Sequence, residues 1–464
     1  MRGLRIAAVL LFAALAGPPP NTVASSAAAP TKPAPNLLII VTDDQRATET
    51  LQVMQETVRI FSGGGVTFPR AFATTPLCCP SRATLFSGRY AHNHGVMTNS
   101  EGADLQHEYT VQAYLQAAGY HTGIAGKYLN RWDLEQDPPY FERWAICSSC
   151  GYYDSPFNVN GETRTVPGYS TDFIAGRAIR FLRRFETSDV DPWLLFVTPY
   201  APHGPSTREP AYEDAPVGKW SGNPAVRERD RSDKPPFVRD RHAGLTRGRL
   251  IRRAQLRTLM SVDDLVQRIF RALSELGERR RTLAIFVSDD GYLWAEHGVT
   301  GKNVPYTQSI EIPLMMRWPG HVPSGTVDRR IVANVDVPAT LLHAAGVVPP
   351  LGAPALDGRS ILDSSWTRRR ILTESGGTVR LIESGGTVRL VPNWASIRSA
   401  AYQYVEYYAD DGTTVEFREY YDLREDPWQL VNLLGDGDPT NDPDVPTLHA
   451  RLAADRACAG SSCP

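Results

Sequence analysis

The sequence contains 464 residues, of which 42% are hydrophobic and 22% charged, with a formal net charge of −2 at pH 7. This composition is typical of a globular protein and excludes a disordered or fibrous chain. The balanced charge excludes a general attraction to nucleic acid, and the length allows one large and one small domain.

The first segment has the three-part pattern of a secretory signal. Arg2 and Arg5 precede the apolar stretch 6–16, and small residues continue through Ala29. We expect residues 1–29 to be a signal peptide with a small-residue tail, and the protein to be secreted. No later apolar run reaches the roughly 20 residues that a membrane-spanning helix needs, so no membrane span is expected.

Short apolar runs alternate with helical patterns from residue 35 onward. Four runs are typical of buried parallel strands: 36–41, 122–125, 194–198 and 283–288. Helical periodicity occurs from about Thr171 to Phe185 and over 262–273, where it stops before Gly277. This alternation predicts an α/β fold with a large, mostly parallel sheet sandwiched by helices.

Residues 204–258 differ from this pattern because they are rich in arginine, proline and aspartate. We interpret them as a solvated excursion over the sheet. The alternative is a basic rim, residues 227–253, that attracts an anionic polymer.

Strand-like alternation returns after residue 366. The segments 401–408 and 413–423 flank Asp410-Asp411-Gly412, which is typical of a hairpin turn, and a helix is predicted around 445–457. We therefore predict a large α/β domain over 30–365 and a small C-terminal domain over 366–464, with an antiparallel sheet plus a helix. The octapeptide ESGGTVRL occurs twice, at 374–381 and 383–390; we interpret it as a local duplication.

The spacing of the cysteines predicts two local disulfides in an exported protein. Cys147 and Cys150 form one close pair, and Cys458 and Cys463 form the other. A zinc site is the alternative, but neither pair has a histidine nearby. The adjacent Cys78 and Cys79 remain as unpaired thiols.

Polar side chains follow each predicted strand: Asp43 and Asp44, Lys127, His203, and Asp289 and Asp290. Because ligands bind at the carboxyl ends of strands in open α/β sheets, we expect these groups to meet at one edge. Four converging carboxylates need a compensating positive charge, although a single Asp-Asp pair is more often a turn or helix cap. Oxygen-only ligation favours Ca²⁺, with Mg²⁺ as the alternative.

The segment 77–88, LCCPSRATLFSG, adds a thiol to this edge. Pro80 is predicted to open a helix, which places Cys78 just ahead of its N-terminus, where free N–H groups favour negative charge. Arg82 can reach back toward the same point. The segment thus supplies a candidate nucleophile and an anion cradle; two buried structural thiols are the alternative.

These residues resemble a known family. Cys78-Cys79-Pro80-Ser81-Arg82 fits the C-x-P-S-R signature of the sulfatases, in the alkaline-phosphatase superfamily, with Cys78 in its first position. The likeness continues in VTDDQ (41–45), AGKYLN (125–130), APHGP (201–205), SDDGY (288–292), EHGVTGK (296–302) and YDLREDPWQLVNL (421–433). The combination with GRYAHNHGV most resembles the branch of N-acetylglucosamine-6-sulfatases and extracellular heparan sulfatases.

The resemblance implies a sulfuric ester hydrolase acting on a sulfated carbohydrate or small molecule, with aryl sulfates as further substrates. It implies that a formylglycine-generating enzyme converts Cys78 to formylglycine, an aldehyde whose hydrate attacks sulfur. The implied metal ligands are Asp43, Asp44, Asp289, Asp290 and residue 78. Arg82 and Lys127 are implied to stabilise the hydrate and the sulfate charge, and His203 and Lys302 to bind sulfate and protonate the leaving oxygen.

Two positions depart from the family pattern. Many sulfatases have Asn where Asp290 stands, so an extra negative charge and tighter cation binding are expected at this site. Many have His where Leu129 stands, so the base for the elimination step is not assigned. His92 and His94 are interpreted either as pocket residues or as part of a structural turn, His297 as either a packing or a catalytic residue, and His343 as a core residue. The alternative functions are a phosphonate or phosphate ester hydrolase and a non-catalytic binder of sulfated polysaccharide using residues 227–253.

Overall fold

The computed structural model describes residues 34–188, 191–377, 379–382 and 388–464. The predicted signal segment, residues 1–29, lies outside the described residues. The strands are β1 (Asn36–Thr42), β2 (Val66–Thr67), β3 (Ala71–Phe72), β4 (His121–Lys127), β5 (Arg143–Cys147), β6 (Tyr153–Val159), β7 (Glu162–Tyr169), β8 (Trp193–Thr198), β9 (Thr282–Ser288), β10 (Leu293–Trp294), β11 (Thr300–Gly301), β12 (Leu314–Arg317), β13 (Thr326–Val327), β14 (Val332–Ala333), β15 (Arg370–Ser375), β16 (Val379–Ile382), β17 (Val388–Val391), β18 (Asn393–Ser399), β19 (Tyr402–Tyr408) and β20 (Val415–Asp422).

The α-helices are α1 (Gln55–Thr57), α2 (Cys78–Ser87), α3 (Ala91–His94), α4 (Val111–Ala117), α5 (Ser170–Phe185), α6 (Pro236–Arg239), α7 (Leu245–Glu275), α8 (Thr307–Ile310), α9 (Asp336–Ala345) and α10 (Val445–Arg456). Within the described ranges, none of the helices combines the length and hydropathy needed to cross a bilayer.

In the described part of the chain, ten strands form one sheet in the order β13-β2-β12-β9-β1-β8-β4-β5-β6-β7. Five central strands, β9, β1, β8, β4 and β5, run parallel, whereas β12 is antiparallel to β9 and β6 to β5. The predicted mostly parallel sheet is confirmed. The register of β1 against β9 places Thr42 opposite Ser288, so both strands end at the same level.

Alternating residues of the central strands fill a core on each face of the sheet. Leu38 and Ile40 of β1 pack with apolar residues of α5 and α7, whereas Leu37, Ile39 and Val41 pack with those of α2, α4 and α9. A strand covered by helices on both faces has to be apolar at every position, which explains the uninterrupted run at 36–41.

The predicted elements are present, with one difference in extent. The four predicted strands match β1, β4, β8 and β9 within a few residues, and the helix predicted from about Thr171 to Phe185 matches α5. The second predicted helix is longer than its apolar pattern: α7 begins at Leu245, inside the stretch interpreted as a solvated excursion. That interpretation is wrong in part, because Lys234, Arg241 and Arg252 are buried and donate hydrogen bonds to backbone carbonyls.

The C-terminal antiparallel sheet has the order β15-β18-β19-β20 among the described strands. The predicted hairpin is confirmed as β19 and β20, and the predicted last helix as α10. The two copies of the octapeptide each contribute one strand of a separate pair, β16 with β17. Residues 34–464 form a single compact unit, and the division into domains at residue 366 stays a prediction.

Both predicted disulfides are present, joining Cys147 to Cys150 and Cys458 to Cys463. The zinc alternative is therefore excluded for these pairs. The prediction for His343 is wrong: it lies near the end of α9 with an exposed ring that bonds Ser360 at 2.7 Å.

Candidate active site

Four buried carboxylates converge where β1 and β9 end. Asp43 and Asp44 follow β1, and Asp289 and Asp290 follow the adjacent β9. The backbone N–H of Asp44 donates to Asp289 Oδ1 at 3.2 Å, which ties the two turns together. Asp44 has a φ of +68°, a conformation that aspartate tolerates better than most residues and that turns its side chain into the cluster.

Helix α2 brings Cys78 to this cluster. The helix begins at Cys78 itself, with Leu77 as its N-cap, so the thiol belongs to the first turn rather than preceding it. Its Sγ lies 3.5 Å from Asp43 Oδ1. Pro80 is accommodated because the first-turn N–H groups have no partner within the helix.

Three cationic side chains surround the carboxylates. Arg82 Nε donates to Asp289 Oδ2 at 2.8 Å, and its Nη2 lies 3.5 Å from Asp43 Oδ2. Lys127, the last residue of β4, donates to Asp43 Oδ2 at 2.5 Å. All the predicted groups on these strands are therefore brought together by the parallel register of β1, β4 and β9.

Lys302 lies at the centre of the cluster although it comes from a loop. Its Nζ is 2.7 Å from Cys78 Sγ and 3.0 Å from Asp290 Oδ2, and it donates a hydrogen bond to Asp44 Oδ1. The hairpin of β10 and β11 positions this loop. The ammonium group thus contacts the thiol and carboxylates from both strands.

His203 completes the ring of predicted residues on the solvent side. Its Nε2 lies 3.8 Å from Asp44 Oδ2, and its Nδ1 is 2.6 Å from the carbonyl of Gly204. Because a carbonyl can only accept, Nδ1 carries a proton and Nε2 faces the site. The side chain is 30% exposed, whereas Asp43 is fully buried.

Burial and mutual charge shift the pKa values of the cluster in opposite directions. Burial acts to raise the pKa of Asp43, but Lys127, His203, Arg82 and Lys302 together hold it far below its usual range. For Asp290, burial dominates over the attraction of Lys302 and raises the pKa well above its ordinary value. Burial, assisted by Asp43, raises the pKa of the Cys78 thiol to about 11.

The donor set fits a hard cation. Ligand atoms of Asp43, Asp44, Cys78 and His203 lie within 4.8 Å of one another, as do those of Cys78, Asp289 and Asp290. Among the described residues, Asp290 Oδ2 is buried and accepts no well-aligned hydrogen bond, and its ion-pair partner is Lys302 Nζ at 3.0 Å. Carboxylate oxygens so arranged are the ligands that Ca²⁺ and Mg²⁺ prefer.

Several residues that sequence reasoning missed position the site. Ser81 Oγ donates to the carbonyl of Asp289 and accepts from Asn334 Nδ2 at 2.8 Å, which fixes the first turn of α2. The Tyr200 ring packs 4.7 Å from the His203 ring, and 5.7 Å from Lys127 Nζ. Ser81 belongs to the quoted motif, but nothing in the sequence around Asn334 indicates this contact.

The remaining candidates have structural contacts. His92 Nδ1 lies 2.8 Å from Glu374 Oε1, His94 Nε2 lies 3.1 Å from Thr84 Oγ1, and His297 Nδ1 lies 3.0 Å from Glu228 Oε2. Leu129 is fully buried, two residues beyond Lys127.

Comparisons with known proteins agree with this geometry. The sulfatase family model matches residues 35–347, and the model of the C-terminal region of N-sulphoglucosamine sulphohydrolase matches residues 295–457. A solved structure of a protein in complex with its substrate D-glucosamine-2-N,6-O-disulfate has a TM-score of 0.72 and 23% identity, covering 90% of this chain and 97% of the other. This structural likeness shows a shared fold.

Two curated relatives extend the comparison. A Caenorhabditis elegans protein named as an extracellular sulfatase Sulf-1 homologue is 34% identical over 350 residues, 71% of this chain. Human N-acetylglucosamine-6-sulfatase is 28% identical over 482 residues, covering 92% of this chain and 86% of its own length. The chain spans 48% of the length of the C. elegans relative. With a family model matching most of its length, and with the signature cysteine beside four converging carboxylates, this chain belongs to the sulfatase family.

Proposed function

We propose that this protein is a secreted hydrolase of sulfate monoesters on a sulfated carbohydrate. The observation that carries the proposal is the convergence of four buried carboxylates, the Cys78 thiol, two buried cations and the partly buried Lys302 at one sheet edge. The family relationship and the two sulfatase relatives support it. A merely structural cluster would not need this excess of buried charge, since buried ion pairs contribute little net stability.

Asp43, Asp44, Asp289 and Asp290 would hold Ca²⁺ or Mg²⁺, with residue 78 as a further ligand. A bound cation would supply Lewis-acid polarisation, and formylglycine at position 78 would supply a hydrated aldehyde as nucleophile. The conversion of Cys78 by a formylglycine-generating enzyme is part of the proposal. Because burial raises the pKa of the Cys78 thiol to about 11, the unmodified thiol is largely protonated at neutral pH and is a weak nucleophile.

The other side chains would act on the ester group. Arg82 and Lys127, both held by Asp43, would fix position 78 and offset negative charge that develops during the reaction. Lys302 would bind a sulfate oxygen. His203, with both ring nitrogens protonated, is proposed to give its Nε2 proton to the leaving alcohol and so to end as the neutral Nδ1–H ring, because it is the most exposed of these groups.

The proposed substrate is a 6-sulfated amino sugar in a glycan. The human relative is named for sulfate removal from N-acetylglucosamine, and the solved neighbour holds a glucosamine disulfate. Aryl sulfates would serve as simple substrates that report on the reaction centre alone.

The proposal is tested with protein produced alongside a formylglycine-generating enzyme. Mass spectrometry of the tryptic peptide 71–82 should show conversion of the Cys78 thiol to an aldehyde. The variant Cys78→Ala should lose turnover of p-nitrophenyl sulfate by several orders of magnitude, since the nucleophile is removed. The variant Cys79→Ala is the matched control: it removes the neighbouring buried thiol and should retain most of the activity.

Parallel assays with p-nitrophenyl phosphate and a phosphonate monoester separate the competing ester classes. If the protein turns over either of these esters faster than the sulfate ester, that ester class, and not sulfate monoesters, is its substrate. Full activity in preparations whose peptide 71–82 is wholly unmodified, or equal losses in the two cysteine variants, would contradict the proposed nucleophile.

A further inference from the structure

A second cluster of basic side chains lies outside the candidate active site. A surface cleft of about 810 Å³ opens between the edge of the large sheet and the C-terminal sheet. Its lining is dominated by arginines, and Asp328 is its one acidic residue. Such a surface has a strong positive potential, although the whole chain has a net charge of −2.

Four of these arginines are exposed and have no carboxylate partner within 4 Å in the described chain: Arg70, Arg329, Arg369 and Arg451. The first donates only to the carbonyl of Arg329, at 3.4 Å, and the last only to the hydroxyl of Tyr402, at 3.3 Å. By contrast, Arg370 in the same cleft pairs with Asp455 at 2.7 Å. The four guanidinium groups therefore retain donors for an external anion, and their planar fork suits sulfate.

Strand directions place this cleft on the same edge of the sheet as the carboxylate cluster. Strand β2 is antiparallel to β12, which is antiparallel to β9, and β13 is parallel to β2. Both β2 and β13 therefore run in the direction of β9. Arg70, three residues past β2, and Arg329, two residues past β13, consequently lie at the edge where Asp289 follows β9.

The separation of the two features can be read along two routes. At about 4.8 Å per strand, β2 and β13 lie about 10 and 14 Å from β9. Along β15, five residues at about 3.3 Å each separate Arg370, in the cleft, from Ser375. Ser375 Oγ bonds Asn303 Oδ1 at 2.8 Å, directly beside Lys302. The first route gives a lateral offset of about 10–14 Å between strands, and the second gives about 17 Å from Arg370 to Ser375. An extended oligosaccharide can span distances of this order.

We propose that the cleft is a second binding site for a sulfated polysaccharide chain whose terminal sulfate ester reaches the active site. The assignment rests on the proposed function for its choice of polymer. Contacts at two places on one chain raise the effective concentration of the ester at the reaction centre, so the cleft would favour polymeric over monomeric substrates.

The experiment measures binding of heparin, as a probe, by titration at several salt concentrations. The double variant Arg329→Gln/Arg369→Gln removes two unpaired guanidinium groups from the cleft. We expect the slope of log affinity against log salt concentration to become shallower by about two. Each guanidinium contact with the polyanion displaces about one counterion, and the double variant lacks two such contacts. The matched control, Arg180→Gln/Arg184→Gln, makes the same charge change on the exposed face of α5 and should bind like the unaltered protein.

Equal loss of heparin affinity in both double variants, or no loss in either, would overturn the assignment. Tighter binding of duplex DNA than of heparin, with the same dependence on Arg329 and Arg369, would also overturn it by making nucleic acid the ligand. Turnover of p-nitrophenyl sulfate is measured on the same samples. A protein without that turnover whose heparin binding still depends selectively on the cleft would refute the proposed function and support the binding site.

Discussion

His94 is a fully buried imidazole at the C-terminal end of α3. The backbone N–H of Val96 donates to Nδ1 at 3.1 Å, so Nδ1 is unprotonated and Nε2 donates to Thr84 Oγ1. Burial, with further repulsion from Arg89 and His92, lowers the pKa of His94 from 6.5 to about 3. A protonated ring would leave Val96 N–H facing another donor.

This shift predicts a pH dependence of stability. Below about pH 6.5 the unfolded chain takes up a proton that the folded chain excludes, so His94 lowers the free energy of unfolding as the pH falls toward about 3. The slope from this residue should be about 1.4 kcal/mol per pH unit. Urea unfolding of His94→Gln at several pH values should show a shallower decline than the unaltered protein.

His343→Gln controls for the loss of one imidazole from an exposed position. If the free energy of unfolding of His94→Gln falls with pH as steeply as that of the unaltered protein, the pKa of His94 is not lowered in the folded protein.

At the residue scale, the site could be predicted where chemistry follows directly from chain position. Asp43 and Asp289 each follow a continuous apolar run, and such runs end at a known edge of a parallel sheet. Asn334 could not be predicted, because its hydrogen bond to Ser81 joins residues 253 positions apart. The central position of Lys302 likewise depends on how its loop folds back.

Gly248, in the first turn of α7, permits a close approach between elements. A Cβ atom there would lie 1.9 Å from the carbonyl oxygen of Trp294 and 2.9 Å from the Trp220 ring. Gly176, in α5, has open space in the same direction. The two glycines therefore differ in packing while sharing a helical backbone.

Alanine at the two positions should have opposite effects. Gly176→Ala should raise the free energy of unfolding by about 0.5–1 kcal/mol through helix propensity. Gly248→Ala should lower it by about 1–3 kcal/mol, because the helix must move away from Trp294. Denaturant unfolding of both variants provides the measurement. Stabilisation by Gly248→Ala would mean that α7 does not contact that carbonyl.

At the element scale, hydrophobic periodicity predicted strands and helices where one face or both faces are buried. It identified the second half of α7, from Val262 onward, but not the first, where Arg252 and Gly248 occupy buried positions. Arginine in a buried helix position gives no apolar signal. The sequence therefore gives no sign that the first half of α7 is packed, although Gly248 lies against the backbone of Trp294 in β10.

Arg368 joins parts of the chain that are distant in sequence. It forms two hydrogen bonds with Asp336, at 2.6 and 2.8 Å, and its Nε donates to the carbonyl of Pro464 at 2.8 Å. Both partners in the ion pair are buried. Asp336 begins α9, under the large sheet, whereas Arg368 leads into the C-terminal sheet.

Replacing Arg368 with leucine should destabilise the whole molecule. Asp336 would be left as an uncompensated buried charge, at a cost of about 3–5 kcal/mol. The exposed pair of Arg424 with Asp422 offers the control, since Arg424→Leu should cost less than about 1 kcal/mol. Calorimetry should show one transition for each variant. A separate early transition in Arg368→Leu would indicate that the C-terminal sheet unfolds alone.

At the scale of the whole molecule, the fold class could be predicted but the relation of its parts could not. Tyr90 and Tyr306 of the larger part share a core with Trp394 and Tyr404 of the C-terminal sheet. Nothing local in the sequence indicates that these rings meet, and the shared core means that a boundary at residue 366 would cut through apolar packing. The placement of β13 at the edge of the sheet, next to β2, is equally non-local.

The disulfide between Cys147 and Cys150 has a consequence for how the protein must be made. In the register of β4 with β5, Cys147 lies opposite Lys127, and the N–H of Tyr128 donates to the Cys147 carbonyl at 2.9 Å. The covalent loop therefore braces the end of the strand that holds a buried lysine against Asp43. Synthesis in a reducing cytosol would leave Cys147 and Cys150 as thiols, and the end of β4 would lose this support. We therefore expect both the yield and the specific activity of recombinant protein to be higher when it is produced in an oxidising compartment.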